Sequence, residues 1–362
     1  MKKLFSVILA VFILIMSVPS VFSLNSYEDY YYTENEDGTI KITSFKSRTA
    51  QSAVIPEKIN GKSVTVIGTN AFKNRSALKA VTVPDSVISI ENYAFYGCHE
   101  LNSVVMGNGI KVLGSHIFNL CTSLTYINLK SVKEIGSFCF YNCTSLQNVD
   151  FSDKLISIGE KAFYKCTALQ NADFPDSVKR IEDYAFYSCT SLTSLDFPNS
   201  LEYIGNSAFC GDKLISSVTF GNGELEIGGY AFENCPEITE LVFPKTITKI
   251  GRNAFSNREE TTVSYSKMNI TCYSHTAGYA YSFTVNAKPY VADLNKKITP
   301  GDIDGKKGVT VEDARHALRV AAELEEFNTD EEFAVSDVNG NNTADSEDAV
   351  MILQMALGIY KA

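Results

Sequence analysis

Two short acidic stretches near the C-terminus carry the residue types and spacing of a metal site. They are Asp302-Ile-Asp304-Gly305 running to Asp313, and Asp337-Val-Asn339-Gly340 running to Asp348. They lie 35 residues apart, and Asp302 matches Asp337, Asp304 matches Asn339, Gly305 matches Gly340, Glu312 matches Glu347 and Asp313 matches Asp348. Calcium takes roughly six to eight hard oxygen ligands, which a loop of about 12 residues presents from its first, third, fifth, seventh, ninth and last positions. Each loop leads directly into an amphipathic stretch. Ala314, Ala317, Leu318 and Ala321 keep helical spacing after the first, and Ala349, Ile352, Leu353, Ala356 and Leu357 after the second. A loop and helix repeated in tandem this way is a docking device rather than a catalytic one.

The elements around this tail are set by bulk properties and by repetition. With 362 residues the chain has room for two or three domains. Lys2-Lys3, the apolar run Leu4 to Met16 and the Val21-Phe22-Ser23 ending read as a secretory signal over 1–23, cleaved after Ser23. No later apolar run reaches membrane-spanning length, so a soluble exported chain is expected. Net charge is −10. From Lys296 to Ala362 there are 7 Lys/Arg against 14 Asp/Glu, a net of −7, so the rest of the chain is nearly neutral. Without a basic stripe, nucleic acid is excluded as a partner.

The middle of the chain is one unit repeated nine times. Phenylalanine recurs at 72, 95, 118, 140, 163, 186, 209, 232 and 255, in steps of 23 except for the 22 between Phe118 and Phe140. The missing residue falls between Leu129 and Val132, in a turn. Five residues before each Phe stands an aliphatic residue (Ile67, Ile90, Leu113 and so on to Ile250), and six after it, in the first eight units, Leu or Ile. A period of this kind means a solenoid, whose coils bury their apolar faces only against their neighbours. The pattern predicts one short strand per coil, such as Leu192 to Phe197 ended by Pro198, and a compact apolar turn around Tyr184-Ala185-Phe186.

These units resemble the bacterial 23-residue class of leucine-rich repeats, of surface-antigen type. The resemblance covers about residues 53 to 260 and implies parallel strands along one face. Residues 24–52, with Asp37-Gly38 as a hairpin turn, are read as an N-terminal cap, and Ile270 to Tyr281 as a C-terminal one. Six of the nine cysteines, Cys98, Cys121, Cys143, Cys166, Cys189 and Cys235, stand three after the Phe. Export favours disulfides, but one column of stacked identical residues reads better as buried thiols. No CxxC pair or His cluster offers a metal site here.

The solenoid carries no signature of catalysis: there is no G-x-S-x-G elbow, P-loop, H-E-x-x-H or dinucleotide fingerprint. One column could still recognise a ligand. Ten residues after each Phe lie Thr82, Val105, Asn128, Asp150, Asp173, Asp196, Thr219 and Val242, and two residues earlier Tyr126, Asn148, Asn171 and Ser194. Three aspartates on adjacent parallel strands stand about 4.8 Å apart, and like charges placed so are destabilising. The column is therefore either a recognition strip for a glycan, a basic peptide or a cation, or a solvated surface left by repeat duplication.

The tail from about Pro300 to Ala362 resembles the type I dockerin family, because Asp stands at the last loop position and Thr299-Pro300-Gly301 leaves no entering helix. Dockerins bind cohesin modules of a scaffoldin and so assemble cellulosome-type complexes. The resemblance implies Ca²⁺ held by Asp302, Asp304, Gly308 (carbonyl), Thr310 and Asp313 in one loop. It implies Asp337, Asn339, Asn341, Thr343 (carbonyl), Asp345 and Asp348 in the other. Loop one departs at Lys306 and Lys307, where an oxygen ligand and glycine are usual, so weaker calcium binding is expected there. Cohesin contact falls to Val311, Glu312 and Arg319 in one half and to Ser346, Glu347 and Gln354 in the other. Glu at a helix start also complements the macrodipole, and Ser346 can serve as a cap.

The expected architecture is an α/β solenoid of leucine-rich repeats followed by a small all-α dockerin: signal 1–23, cap 24–52, solenoid with its C-terminal cap 53–285, linker 286–299, dockerin 300–362. The expected role is non-catalytic binding outside the cell, at its surface through the scaffoldin, with an unidentified protein or glycan on the solenoid. Regulation of neighbouring secreted enzymes, or polysaccharide degradation, are the competing readings.

Overall fold

The computed structural model describes residues 29–259, 262–264, 268–273, 290–291, 296–297, 301, 309–321, 336, 338 and 345–356. The signal-like segment 1–23 lies outside them.

The phenylalanine period builds a stack. Phe72, Phe95, Phe118, Phe140, Phe163, Phe186, Phe209 and Phe232 are almost wholly buried. Successive ring centroids stand 4.8 to 5.4 Å apart from Phe72 through Phe255, in nearly parallel planes. Burying one such ring contributes about 2 kcal/mol, so the column is the spine of the core. Each Phe N–H donates to the carbonyl one position before the Phe of the next coil, as from Phe163 to Ala185 at 2.7 Å. Residues two before and two after the Phe make the same step, Lys161 to Asp183 and Lys165 to Tyr187. Those alternate positions carry positive φ, from Asn70 to Asn253 before the Phe and from Asn74 to Asn234 after it. L-residues adopt that region at a cost, and here inter-coil hydrogen bonds and the buried ring hold them in it.

Most coils contribute two strands where the sequence suggests one. The larger sheet runs through the aliphatic residue five before the Phe. Ser89–Ile90, Val112–Leu113, Glu134–Ile135, Ser157–Ile158, Arg180–Ile181, Tyr203–Ile204, Leu225–Ile227 and Ile247–Ile250 follow one another in parallel. Most of these strands are two residues long, too short for an alternation to show in sequence. The other face, expected to be the continuous one, is broken into separate sheets. Ser52–Val54, Ala80–Thr82 and Ser103–Val105 form one, Tyr126–Leu129 with Asn148–Phe151 a second, and Ser194–Asp196 with Ser217–Thr219 a third. No helix occurs in the solenoid among the described residues, so the α/β expectation is corrected to a parallel β-solenoid of about nine turns. Opposite the strands stand the turns with left-handed residues on either side of the Phe.

Glycine after the aliphatic residue has a steric cause: a Cβ on Gly159 would stand 2.8 Å from the Gly136 carbonyl carbon of the coil below. The shortened unit closes with Val132 N–H donating to the Leu129 carbonyl at 2.9 Å, the counterpart of Val178 to Pro175 at 3.1 Å. Register is kept beyond it, with Glu134 between Val112 and Ser157. At the N-terminal end Tyr30–Glu34 pairs antiparallel with Ile40–Phe45, which joins the large sheet beside Lys62–Ile67. Asp37-Gly38 makes the turn, Gly38 at φ 81°. The Asp37 carboxyl accepts from the Thr39 hydroxyl at 2.6 Å, which holds it below the ordinary carboxylate value. At the other end Asn269–Cys272 pairs in parallel with Glu240–Val242, and Tyr290–Val291 and Lys296–Lys297, inside the interval read as a linker, extend that sheet.

Two 11-residue helices, Val311–Ala321 and Ser346–Ala356, start at the positions the loop spacing predicts and pack against each other.

Candidate binding surfaces and acidic loops

The polar column on the interrupted face divides into two joined pairs with a gap between them. Tyr126 lies opposite Asn148, and Asn128 opposite Asp150. The Tyr126 hydroxyl donates to Asp150 Oδ2 at 2.8 Å, with Lys130 Nζ 3.7 Å from the same oxygen. Half-burial and then the carboxylate push the Tyr126 phenol upward, so it stays a donor. Asn128 Oδ1 accepts the Lys130 N–H at 3.0 Å. Further along, Ser194 lies opposite Ser217 and Asp196 opposite Thr219, whose hydroxyl donates to the Asp196 carboxylate. Asn171 and Asp173, between these pairs, are exposed and belong to no strand.

That gap corrects the expectation of three aspartates on adjacent strands. Asp150 and Asp196 each have a hydrogen-bond donor in a neighbouring coil or strand. Asp173 would bring a third charge between them, and like charges directly opposite oppose pairing. Its coil is also the least anchored, because Ala172 points inward where Val81, Val104, Ile127, Val149, Leu195, Val218 and Leu241 do in the others. Val105 and Val242, on either side of the stretch from Asn128 to Thr219 in the same column, are 57% and 62% exposed. The polar stretch is therefore flanked by an exposed valine on each side.

A second surface, at the Phe turns, was not read from sequence. Two residues before the Phe stand Tyr93, His116, Phe138, Lys161 and Tyr184. The first three rings stack at 4.5 Å, and Lys161 Nζ sits 5.1 Å from the Phe138 centroid and 5.0 Å from that of Tyr184. Burial lowers the basicity of His116. One residue after the Phe, Tyr141, Tyr164 and Tyr187 stack at 4.8 Å. The rings spend their faces on one another and offer edges to solvent, so the ladder braces the turns rather than forming a stacking platform. Aligning the repeats on Phe and reading the flanking columns would have found it.

The cysteine column is a column of thiols: all nine cysteines are buried and none is in a disulfide. The six at the repeat position donate to the Phe carbonyl of the preceding coil, from Cys98 to Phe72 at 3.1 Å through Cys235 to Phe209 at 3.2 Å. Burial pushes the Cys98 thiol up to about 12 and the others upward too, so the proton needed for the bond is retained.

In the tail, Thr310, Asp313, Asp345 and Asp348 fall within the described residues. Asp302, Asp304, Lys306, Lys307, Gly308, Asp337, Asn339, Asn341 and Thr343 lie outside them. Asp313 and Asp348, the last residues of their loops, are 2% and 0% exposed. Asp313 Oδ2 accepts from the Thr310 N–H at 2.8 Å and hydroxyl at 2.6 Å, and Asp348 Oδ2 from the Asp345 N–H at 3.0 Å. Both are the third residue into a helix and tie back to the residue before it, as in a capping box. Val311, Glu312 and Arg319 lie on the helix Val311–Ala321. Ser346 and Glu347 are exposed at the start of Ser346–Ala356, and Gln354 is half-buried near its end. Leu318, Val350 and Leu353 are exposed on the two helices. Among the described residues no three His, Cys, Asp or Glu side chains are grouped to hold a metal, and no helix is long and apolar enough to cross a membrane.

A family model described as the BspA type leucine-rich repeat region matches in six copies over residues 38–155 and 133–262. Among solved structures, the chain is similar to a leucine-rich repeat protein from Bacteroides ovatus, with 23% identity over 64% of this chain and 79% of that one and a TM-score of 0.44. It is also similar to a leucine rich cell surface protein from Faecalibacterium prausnitzii, with 22% identity over 70% and 91% and a TM-score of 0.36. The pneumococcal vaccine antigen PcpA is similar at 16% identity over 71% and 95%, with a TM-score of 0.37. No curated protein matches.

Proposed function

The chain belongs to the BspA-type leucine-rich repeat proteins, and from that premise we propose that it is a non-catalytic binding protein that works outside the cell. Its solenoid presents the strip from Tyr126 to Asp196 to a protein or glycan. Its tail, as a calcium-loaded dockerin, attaches it to a cohesin on a cellulosome-type scaffold. The signal-like segment 1–23 supports export.

One observation carries the tail's half of this reading. The two residues in the last-ligand position, Asp313 and Asp348, are both buried carboxylates at the start of equal helices. Burying a charge is costly unless it is compensated. The Thr310 and Asp345 N–H groups hold one oxygen of each carboxylate. Calcium, bound by the oxygens that the preceding loops offer, adds to that compensation and ties each loop to its helix. Asp302, Asp304, Gly308, Thr310 and Asp313 hold one ion; Asp337, Asn339, Asn341, Thr343, Asp345 and Asp348 hold the other. Val311, Glu312, Arg319, Ser346, Glu347 and Gln354 then face the cohesin. On the solenoid, the Tyr126–Asp150 hydrogen bond with Lys130 paired to the same carboxylate supports a fixed polar contact, flanked by the exposed Val105 and Val242.

The test is an array of cohesin modules probed with the full mature chain in millimolar calcium and in EGTA. Capture by at least one cohesin, lost in EGTA, is the expected result. Failure to bind any cohesin in calcium, or binding indifferent to EGTA, would sink the docking half. A glycan and protein array binding equally to the chain and to its Asp150→Ala, Asp173→Ala, Asp196→Ala form would sink the solenoid half.

A further inference from the structure

In the first eight units the column three residues after the Phe follows one rule with one exception. Its side chains donate to the Phe carbonyl of the coil before. Arg75 Nε donates to Phe45 at 3.0 Å, and Cys98, Cys121, Cys143, Cys166, Cys189 and Cys235 donate to Phe72, Phe95, Phe118, Phe140, Phe163 and Phe209 at 3.1 to 3.3 Å. The carbonyl left over is that of Phe186, and the residue due to serve it is Asp212. Asp212 is 0% exposed, and neither of its carboxyl oxygens has a hydrogen-bond partner in the structure.

An ionised carboxylate only accepts, so it cannot take a thiol's place opposite a carbonyl oxygen. Buried without a partner, it is also far costlier than its neutral acid. We infer that Asp212 is a protonated carboxylic acid in the folded chain, its O–H donating to the Phe186 carbonyl, and that this proton makes the joint between these coils pH-sensitive.

The surroundings favour a proton over any other compensation. On either side in the column stand the Cys189 and Cys235 thiols, kept neutral by burial, so that neither offers a charge to offset a carboxylate at Asp212. The Cys189 N–H of the turn below is the one group that favours a charged carboxyl; burial outweighs it, and it is already given to the Phe186 carbonyl at 3.1 Å. Cys210 Sγ, on the same turn, lies 3.7 Å from the Glu233 carboxylate of the next coil, and both raise the phenol of Tyr187. These neighbours are acidic or neutral, and no lysine, arginine or histidine among the described residues acts on Asp212. Nor are three metal-ligating side chains grouped there. Desolvation accordingly holds the carboxyl well above the ordinary 3.8.

The sign follows from proton linkage. Above the ordinary carboxyl value the unfolded chain releases this proton while the folded chain keeps it. Stability is therefore full in acid and falls as pH rises, tenfold in the folding constant per pH unit, until the folded-state carboxyl ionises.

The test is urea unfolding of the full chain and of Asp212→Cys, which restores the column, between about pH 5 and pH 8. Their difference isolates this one group. The folding constant of Asp212→Cys should gain on the parent by about tenfold per pH unit over part of that range. A difference that stays constant from pH 5 to pH 8 would overturn the inference. Should Asp212→Cys fail to fold, infrared titration of the parent decides instead. A protonated-carboxyl band persisting above about pH 6 supports the inference, and its absence there overturns it.

Discussion

Lys165 offers a perturbation whose sign separates this fold from a looser arrangement. It is exposed, two residues after Phe163, with φ 57°. Its N–H donates to the Tyr187 carbonyl of the next coil at 2.8 Å, a bond any residue but proline retains. Left-handed backbone costs an L-residue about 1–2 kcal/mol. Asparagine tolerates that region best among the non-glycine residues, and it already fills the equivalent positions at Asn74, Asn142 and Asn234. Against that gain stands the loss of a cation–π contact, Lys165 Nζ being 5.6 Å from the Tyr164 centroid, worth about 0.5 kcal/mol when exposed. Lys165→Asn should therefore stabilise the solenoid by about 0.5–1 kcal/mol. Lys165→Gly should come out near neutral, since glycine loses about 0.5–1 kcal/mol of chain entropy. Lys165→Val should destabilise by at least about 1 kcal/mol. Urea midpoints at unchanged slope measure all three. If valine is tolerated as well as asparagine, the left-handed turn is not what holds this edge.

Three further outcomes follow from the repeat geometry. Because burial pushes the Cys98 thiol up to about 12 from 9.0 and raises the rest of the column, Ellman's reagent at about pH 8 should label none of the column thiols until the chain is unfolded. The same shifts make stability fall as pH climbs past 9.0, where the unfolded thiols ionise and the folded ones do not; rapid native labelling would contradict both statements. Asp173→Asn should raise stability by about 0.5 kcal/mol at low ionic strength, with the gain shrinking in about 0.5 M salt. Urea midpoints indifferent to the substitution at low salt would remove charge repulsion as the cause of the interrupted sheet.

The solenoid was legible because each coil repeats the same burial problem: the Phe column, the aliphatic residue five before it and the cysteine three after it are all core. The second strand was not legible, since two residues such as Ser157–Ile158 hold no alternation to read. Nor were the left-handed turns, because Asn70, Tyr93, Lys161 and Ser207 share no side-chain chemistry, only a backbone position imposed by inter-coil hydrogen bonds. The polar strip was legible as a column but not as a broken one. Its break depends on Ala172 and Asp173 together, one weakening the inward anchor and the other adding charge. Asp212 is visible in sequence as a lapse in the cysteine column, yet its meaning needs the carbonyl it faces. In the tail, the amphipathic stretches read after the two loops are helical, Val311–Ala321 and Ser346–Ala356, but Ser346, read as a cap, is the first helical residue, and Asp345 accepts the Glu347 N–H at 2.8 Å in its place.

Calorimetric titration of calcium into the full chain, stripped of metal beforehand, probes most directly whether the tail is a metal-ordered plug. We expect one tight binding event and one weaker, because Lys306 and Lys307 stand in the first loop where an oxygen ligand and glycine are usual. The tight event should vanish in Asp348→Ala. An absence of binding heat, or a titration that Asp348→Ala leaves unchanged, would contradict the account.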